Sequence, residues 1–448
     1  MQINRNITQQ LSAWKQNPFS KPLILQGARQ VGKTWVLKQF GEIFFESAAY
    51  FNFEKQPALK QFFAQTKEPL EIINNLSLVN TKPIDSHNTL IIFDEIQECT
   101  DALNALKYFA EEAPGYKIAC AGSLLGVAMA RGASFPVGKV NFLNMYALSF
   151  AEFLAVADPA LFAYIDQLEK LAAIPDIFFE PLKEKLKMYF ISGGMPEAVV
   201  ALLEQHDVGA TQQVLQNILN AYTLDFSKHV EKRDIQKILH IWASLPSQLA
   251  KENKKFLYQT IKTGARAREY EDALNWLVNS GFVSKIHASA KPALPLTAYD
   301  DISSFKVYMQ DVGLLRRLSQ LDPVVYGTGN RLLTEFKGML AENFILTGLL
   351  RQFEVLPRYW RSGNIAEVDF LVQYQNQVIP VEVKSDENIK SRSLSMYRKH
   401  FTPKLSLRFS LRNIQKDQGF INLPLFMVDY ARKFIDLYLN DTTIKTDR

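Results

Sequence analysis

The sequence predicts an α/β fold in its first third, because short apolar runs alternate there with segments of helical spacing. The runs are residues 23–26, 48–53, 89–93 and 116–121. Near-continuous apolar runs bounded by turns are typical of parallel strands buried on both faces. Helical spacing between the runs, as at residues 102–112, gives the alternation expected of a layered α/β domain over residues 1–150.

Length and composition indicate a soluble protein of several domains. The 448 residues exceed one ordinary core, and the chain is 47% hydrophobic and 22% charged, as soluble globular proteins are. A net charge of +5 permits a nucleic-acid partner without requiring one. The two cysteines, Cys99 and Cys120, argue against a disulfide framework. With no signal peptide and no apolar run of membrane length, we expect a cytoplasmic protein without a membrane partner.

The rest of the chain changes pattern twice, which predicts three further domains. Residues 151–245 are helical in spacing, and residues 246–325 combine short helices with alternating runs that fit a winged helix. Residues 326–448 open with a long helix at about 331–352, which we predict to be amphipathic. Strands are expected after it at 355–361, 366–373 and 377–383.

An eight-residue segment after the first apolar run has the pattern G-x-x-x-x-G-K-[ST]. It consists of Gly27, Ala28, Arg29, Gln30, Val31, Gly32, Lys33 and Thr34. The glycines let the backbone N–H groups face phosphates, and the following helix adds its positive N-terminal end. Lys33 can reach the β- and γ-phosphates, while the Thr34 hydroxyl can ligate Mg²⁺. The segment therefore predicts an ATP-binding loop between a strand and a helix.

Acidic residues at the end of a later apolar run supply the second half of this site. The run Leu90–Glu95 would place Asp94 and Glu95 beside the loop. Asp94 would hold Mg²⁺, and Glu95 would polarise the water that attacks the γ-phosphate. Ser123 ends the next apolar run and is a candidate γ-phosphate sensor, although a serine in a Gly-Ser turn explains it equally well.

A second group of charged residues lies near the C-terminus, in a segment that reads as a β-hairpin. Asp369 falls in its first strand, and Glu382 and Lys384 are two residues apart in its second, so they share a face. Glu342, on the preceding helix, could add a fourth group. Two carboxylates and a lysine suit metal-dependent phosphodiester cleavage, with Asp369 and Glu382 holding Mg²⁺ or Mn²⁺. On the residues alone, a charge cluster on a sheet edge is an equal alternative.

Basic residues near both later domains bear on a nucleic-acid partner. Trp360 and Arg361 precede the hairpin, and basic residues that include Lys399 follow it. A second basic group surrounds the predicted winged helix. That group consists of Lys251, Lys254, Lys255, Lys262, Arg266 and Arg268. Solvated helix faces have the same composition, and they are the favoured explanation for the residues around the hairpin. For the second group, clustering at a DNA-reading module favours nucleic acid, with DNA preferred over RNA.

Several of these segments together resemble the AAA+ ATPases. The order of strand, phosphate loop, LIIFDE and strand-Gly-Ser is similar to that superfamily. Residues 134–140, 148–154, 189–196 and 306–315 resemble one bacterial and archaeal family within it. That resemblance implies an AAA+ core with an αβα sandwich and a C-terminal domain with a restriction-endonuclease-like core. It leaves the arginine finger unassigned, with Arg131, Arg266 and Arg268 as candidates.

The spacing D-x₁₂-E-x-K resembles the PD-(D/E)xK nucleases, with Glu342 in the place of their helical acid. Val368 stands where the pattern has its proline. The resemblance implies an ATPase whose nucleotide state controls a nuclease-like domain that acts on nucleic acid, and a homo-oligomer is possible. The alternative is an ATP-switched DNA-binding or regulatory protein whose nuclease-like domain does not cut.

Overall fold

The structure is a computed structural model that describes residues 3–122, 138–230, 232–251, 254–323, 334–363, 365–385 and 391–446. The candidates Ser123 and Arg131 lie outside these ranges. The chain divides into two compact units. One comprises Gln2–Ala147 and Asn275–Phe282; the other comprises Met1, Leu148–Leu274 and Val283–Arg448. The finer division into four domains stays a prediction.

The unit that contains Gln2–Ala147 is built on a five-stranded parallel sheet with the order β2-β3-β4-β1-β5. The strands are β1 Leu23–Gln26, β2 Ser47–Asn52, β3 Thr89–Asp94, β4 Lys117–Ala121 and β5 Asn141–Asn144. The first four confirm the predicted runs. The fifth was not predicted because its four residues alternate between half-buried and exposed and carry no apolar run.

Helices cover this sheet and bury its apolar side chains. They are α1 Ile7–Gln16, α2 Lys33–Phe44, α3 Lys60–Gln65, α4 Pro69–Val79 and α5 Thr100–Glu112. In α5, Leu103, Leu106 and Phe109 are buried at the predicted helical spacing. Elsewhere in the same core, the rings of Phe53 and Phe63 lie 5.5 Å apart, centre to centre. This aromatic packing fixes the sheet whose strand ends carry the nucleotide loop.

The other unit begins with helices, as the spacing predicts. They are α6 Phe150–Ala157, α7 Pro159–Asp166, α8 Asp176–Ser192, α9 Pro196–Gln205, α10 Val208–His229, α11 Lys232–Leu249, α12 Tyr258–Ile261 and α13 Ala267–Asn279, which belongs to this unit up to Leu274. Helix α14, Val312–Leu318, follows later in the chain. The Asp311 carboxylate caps α14 by accepting the Leu314 N–H at 2.9 Å. It also accepts the Gly194 N–H at 2.6 Å, and a Cβ on Gly193 would approach it to 2.1 Å. Two segments that carried the family resemblance therefore interlock.

An eight-stranded mixed sheet forms the rest of this unit, with the order β12-β13-β11-β10-β9-β8-β6-β7. The strands are β6 Val283–Ser289, β7 Asp300–Met309, β8 Arg358–Ser362, β9 Ala366–Tyr374, β10 Gln377–Val383, β11 Ser406–Ser410, β12 Gln415–Asp417 and β13 Phe420–Pro424. The helices beside it are α15 Thr334–Leu350, α16 Arg392–Phe401 and α17 Ala431–Thr446. The predicted hairpin is confirmed: β9 and β10 pair antiparallel, with Phe370 opposite Val381.

A winged helix was predicted over residues 246–325. The structure has an antiparallel β6–β7 hairpin in this range, and β6 also pairs with β8 through Ala288 and Tyr359, so the hairpin extends the sheet of the C-terminal strands. Sequence spacing does not reveal this partner, because the pairing joins residues about seventy positions apart. The winged helix itself stays a prediction.

Helix α15 differs from its prediction. Residues 339–349 are all buried, including Glu342, Asn343 and Thr347, so the helix is not amphipathic. Its polar residues are satisfied by protein groups instead of water; Asn343 accepts the Met309 N–H at 2.9 Å. An amphipathic helix would instead have kept one face in solvent. Within the described residues, no helix combines the length and apolarity needed to cross a membrane.

Candidate functional site

The loop Gly27–Thr34 follows β1 and leads directly into α2, as its motif requires. Gly27 has a φ of +145°, and a Cβ there would lie 2.1 Å from the Met145 carbonyl oxygen. Gly32, at a φ of +95°, precedes the first residue of α2. Only glycine accepts these two positions without strain, so the loop keeps the curl that exposes backbone N–H groups to phosphate.

Lys33 is folded back onto the loop. Its Nζ donates to the carbonyl oxygens of Gly27 and Ala28, both at 2.7 Å, and the residue is 8% exposed. Burial lowers the pKa of Lys33 to about 8, against the opposing attraction of Glu95 and Asp94. A phosphate group would give this ammonium a charged partner in place of two carbonyls.

Asp94, at the end of β3, accepts hydrogen bonds from side chains of two other elements, α2 and β2. Its carboxylate accepts the Thr34 hydroxyl at 3.1 Å to each oxygen. Tyr50 Oη donates to Oδ2 at 2.7 Å, and Asn52 Nδ2 donates to the same atom at 3.2 Å. The structure thus brings together Thr34 and Asp94, the two predicted Mg²⁺ ligands. A hydroxyl beside a carboxylate is an oxygen donor set that suits a hard cation, so these residues fit Mg²⁺.

Glu95 follows in a strained conformation. Its φ is +50°, in the left-handed region that favours glycine, and such strain concentrates at functional sites. Gln97 Nε2 donates to the Glu95 carboxylate, and burial raises the pKa of that carboxyl above its usual value. Glu95 is therefore held next to Asp94 by both its backbone and its side chain.

Four residues around the loop were missed by sequence reasoning. Tyr50 and Asn52 hold Asp94, Gln97 holds Glu95, and Arg5 holds the loop itself. The Arg5 guanidinium donates to the Val31 carbonyl at 2.8 Å and to the Tyr146 carbonyl at 2.7 Å. Of these four, only Tyr50 and Asn52 could have been found from the sequence. They are polar residues at alternate positions of the buried strand β2, and buried polar side chains need hydrogen-bond partners.

The second predicted site is a group of carboxylates that we call the carboxylate cluster: Glu342, Glu367, Asp369 and Glu382. Glu367, two residues before Asp369 on β9, was not predicted. Asp369 Oδ2 accepts the Val383 N–H at 2.7 Å, which ties it to the end of β10. Burial raises the pKa of Asp369 well above its usual value, and repulsion from Glu342 and Glu382 adds to the rise.

Glu382 and Lys384 meet on one face, as their spacing predicts. Lys384 Nζ lies 2.7 Å from Glu382 Oε1, which also accepts the Ser391 hydroxyl at 2.9 Å. The pKa of Lys384 is raised, because attraction to Glu382 and Asp369 outweighs burial. Glu382 Oε2 is buried and has no hydrogen-bond partner among the described residues. A buried carboxylate oxygen without a partner can still bind a cation or accept a hydrogen bond.

The other two carboxylates, Glu342 and Glu367, are bonded by lysines that lie outside α15 and outside the β9–β10 hairpin. Lys254 Nζ and Tyr308 Oη both donate to Glu342, the latter at 3.2 Å. Lys306 Nζ bonds Glu367 and lies 4.7 Å from the centre of the Tyr359 ring. Burial opposes the charge on Lys306, yet Glu367, Glu342 and Asp369 together raise its pKa.

The fit of this cluster to a metal is partial. In the part of the chain that the structure describes, no three His, Cys, Asp or Glu side chains converge as metal ligands. Glu342 is held by Lys254 and does not join Asp369 and Glu382. Two carboxylates still suffice for Mg²⁺, which proteins commonly hold through one or two carboxylates plus water and substrate phosphates. Asp369 and Glu382 therefore fit the ion, with the vacant Glu382 Oε2 as one donor.

Three family models match successive parts of the chain. An AAA domain matches residues 19–154, and two domains of unknown function, DUF8612 and DUF4143, match residues 183–324 and 337–427. A comparison with curated proteins found no match.

Solved structures with similar folds are distant. A Walker-type ATPase of Pyrococcus abyssi is 13% identical, covering 71% of this chain and 96% of that one, with a TM-score of 0.46. Cdc6p of Pyrobaculum aerophilum is 12% identical, covering 70% and 93%, with a TM-score of 0.27. The Thermotoga maritima RuvB Holliday junction branch migration motor is 14% identical, covering 66% and 91%, with a TM-score of 0.27. At these values the matches do not fix the fold of the whole chain.

The domain match agrees with the geometry of the loop. Residues 19–154 include β1, the loop, α2 and the acidic end of β3. A parallel sheet with a phosphate loop after one strand and an Asp-Glu pair after another is the arrangement that binds nucleoside triphosphates. Residues 19–154 therefore form an AAA-type, ATP-binding domain.

Proposed function

We propose that this chain hydrolyses ATP and that its nucleotide state controls a linked nuclease-like domain that acts on nucleic acid. The observation that carries the ATPase proposal is the contact of the Thr34 hydroxyl with Asp94, next to the strained Glu95. A metal-ligand pair and a buried carboxylate at one strand end are the parts needed for attack of water on a γ-phosphate.

The chain's own residues would share this reaction as follows. Lys33 leaves the carbonyls of Gly27 and Ala28 and binds the β- and γ-phosphates. Thr34 and Asp94 would hold Mg²⁺, which neutralises charge on those phosphates when bound. Glu95, whose pKa is raised by burial, orients the attacking water and accepts its proton. Gln97 fixes the Glu95 carboxylate, and Tyr50 and Asn52 fix Asp94.

The carboxylate cluster supports the nuclease-like part of the proposal. Asp369 and Glu382 would hold Mg²⁺ or Mn²⁺, which lowers the pKa of a bound water. Lys384, bonded to Glu382, is placed to orient that water or to stabilise charge on the phosphate. Basic side chains such as Arg361 and Lys399 give a nucleic-acid backbone counter-charges, and DNA is the expected partner over RNA.

A second candidate function is favoured by one observation: Glu342, Glu367 and Glu382 each bond a lysine. A cluster neutralised by its own lysines needs no metal. In that case the chain is an ATP-switched DNA-binding or regulatory protein that does not cut. Cytoplasmic location, which the buried free thiols of Cys99 and Cys120 suit, and homo-oligomer formation remain proposals for either function.

A cleavage assay separates the two candidates. Single- and double-stranded DNA and RNA are incubated with the protein and Mg²⁺ or Mn²⁺, with and without ATP. Asp369→Ala should lose metal-dependent cutting, whereas Asp417→Ala, an exposed acid on β12, should keep it. Lys33→Ala should lose ATP binding and ATP control, whereas Lys82→Ala should keep both. Cutting that persists in Asp369→Ala refutes the nuclease site, and DNA binding that responds to ATP without any cutting establishes the regulator.

A further inference from the structure

Lys254 differs in position from the other lysines of the carboxylate cluster. It lies in the segment between α11 and α12, 88 residues before its partner Glu342 on α15. Both side chains are largely withdrawn from water, with 13% of Lys254 and 8% of Glu342 exposed. A buried carboxylate without a cation is costly, so this pair is a built feature of the fold.

Glu342 has a second donor that does not depend on Lys254. Tyr308 Oη, on β7, donates to its other oxygen at 3.2 Å. Lys306 also lies close enough to attract Glu342. Glu342 would therefore keep a hydrogen bond and a nearby cation if Lys254 moved away.

The cluster's three lysines are not equally held. Lys306 is fully buried on β7, and Lys384 follows β10 and bonds a carboxylate two residues away. Lys254 belongs to no helix or strand and reaches Glu342 from a connecting segment. Connecting segments open at lower free energy than sheet residues, which makes Lys254 the lysine that can most easily withdraw.

We infer that Lys254 is a residue of the carboxylate site that competes with a divalent metal ion for Glu342. With Lys254 in place, Asp369 and Glu382 can serve a metal and Glu342 cannot. When Lys254 withdraws, Glu342 is released to turn toward Asp369 and Glu382 and to serve as a third carboxylate ligand, which its position in the structure does not allow. The inference rests on the proposed metal site, and it changes the expected role of Lys254 from a general nucleic-acid contact to a control of metal affinity.

Binding of Mn²⁺ to the full-length chain without nucleotide tests this inference, by electron paramagnetic resonance or calorimetry. Asp369→Asn identifies the site, because the Mn²⁺ binding that this variant loses is the binding at the carboxylate cluster. Lys254→Ala and Lys254→Gln should bind Mn²⁺ at least about tenfold more tightly, as expected if Lys254 holds Glu342 about nine-tenths of the time. Lys254→Arg, which keeps the cation, and Lys262→Ala, which removes an exposed lysine nearby, should keep the native affinity.

The outcomes distinguish this inference from the proposed function. If native protein and both Lys254 variants bind Mn²⁺ equally at the site defined by Asp369→Asn, the competition is refuted and the metal site stands. If no variant binds Mn²⁺ there, Lys254→Ala included, the metal site and the competition are both refuted. Circular dichroism of each variant confirms that it is folded. Two different substitutions of Lys254 ensure that the result does not depend on an unrelated effect of one of them.

Discussion

The nucleotide loop and the carboxylate cluster hold their lysines in opposite ways. Lys33 rests on two backbone carbonyls of its own loop, and its pKa is lowered to about 8. Lys306 and Lys384 rest on carboxylates, and their pKa values are raised. A lysine bonded to neutral carbonyls interacts more favourably when a charged phosphate replaces them. A lysine on a buried carboxylate loses a charged partner when it leaves.

This difference separates a site prepared for its ligand from one that is already neutralised. The loop offers backbone curl, a lysine with weak partners and a Thr34–Asp94 pair, all of which improve when a phosphate and a cation arrive. The cluster has three of its four carboxylates bonded to lysine, and the fourth, Asp369, has a pKa raised by burial and by repulsion from Glu342 and Glu382. We therefore expect changes in the loop to act on ligand binding and turnover, and changes in the cluster to act first on stability or metal affinity.

The largest expected effect comes from Glu95→Gln. The amide cannot accept a proton from the attacking water, so ATP hydrolysis should fall about a thousandfold. ATP affinity should change little, because Lys33, Thr34 and Asp94 are retained. Steady-state hydrolysis and equilibrium binding of a fluorescent ATP analogue measure the two effects. Glu98→Gln, a nearby acid, is the matched control, and equal turnover in both variants would remove Glu95 from the mechanism.

The second effect tests the cluster. Lys306→Met leaves Glu367 without its cation and should lower the free energy of unfolding by about 3 kcal/mol, at the low end for a broken buried pair because Glu367 is partly exposed. Urea denaturation measures this. The double variant Lys306→Met/Glu367→Met should lose less than the single one, since no unpaired charge remains. Lys399→Met, an exposed control, should change stability by under about 0.5 kcal/mol. A single variant as stable as that control would contradict the account.

The third effect follows from the pKa of Lys33, which burial lowers to about 8. Phosphate binding needs Lys33 in its charged form. ATP affinity should therefore have its full value near pH 7 and should fall about tenfold by pH 9. In the protein without ATP, the stability of the fold changes with pH in the opposite direction to ATP affinity. The unfolded chain binds the extra proton between pH 8 and 10.5, so raising the pH there stabilises the fold. Affinities measured from pH 7 to 9 check the prediction, and a flat profile would show that Lys33 is charged throughout.

The smallest effect comes from Tyr50→Phe. It removes the hydrogen bond to Asp94 and keeps the ring beneath the Lys38 ammonium, which lies 3.6 Å from the ring centre. One such bond is worth about 1 kcal/mol, so Mg²⁺-dependent ATP affinity should fall about fivefold. Tyr108→Phe on α5 is the control. An affinity equal to that control would mean that Tyr50 does not position Asp94.

Residues that act within one short segment could be predicted from the sequence. The loop Gly27–Thr34, the pair Asp94–Glu95 and the β9–β10 hairpin depend on local spacing, and the structure forms each of them. Helix α15 exists as predicted, but its buried polar face was mistaken for a solvent face. A periodic pattern shows which residues are apolar and cannot show that Asn343 and Glu342 find partners on another element.

Residues that act through distant partners could not be predicted. Arg5 reaches Val31, Lys306 reaches Glu367, and Lys254 reaches Glu342, each across a separation that spacing does not encode. Lys254 shows the limit most clearly. Its basic neighbours suggested a nucleic-acid contact, whereas its own ammonium is bonded to a buried carboxylate. Composition describes how much charge a segment has, and only tertiary structure determines what that charge contacts.

Coupling between nucleotide and nucleic acid is the central claim, and one affinity tests it. The dissociation constant of a non-hydrolysable ATP analogue is measured with and without saturating DNA, with Mg²⁺ present. Because coupling is reciprocal, control of a nucleic-acid site by nucleotide requires DNA to change ATP affinity, by about fivefold or more. Such a change, absent with a non-binding polyanion of equal charge, supports the account whether or not the cluster cuts. Identical affinities with and without bound DNA would contradict it.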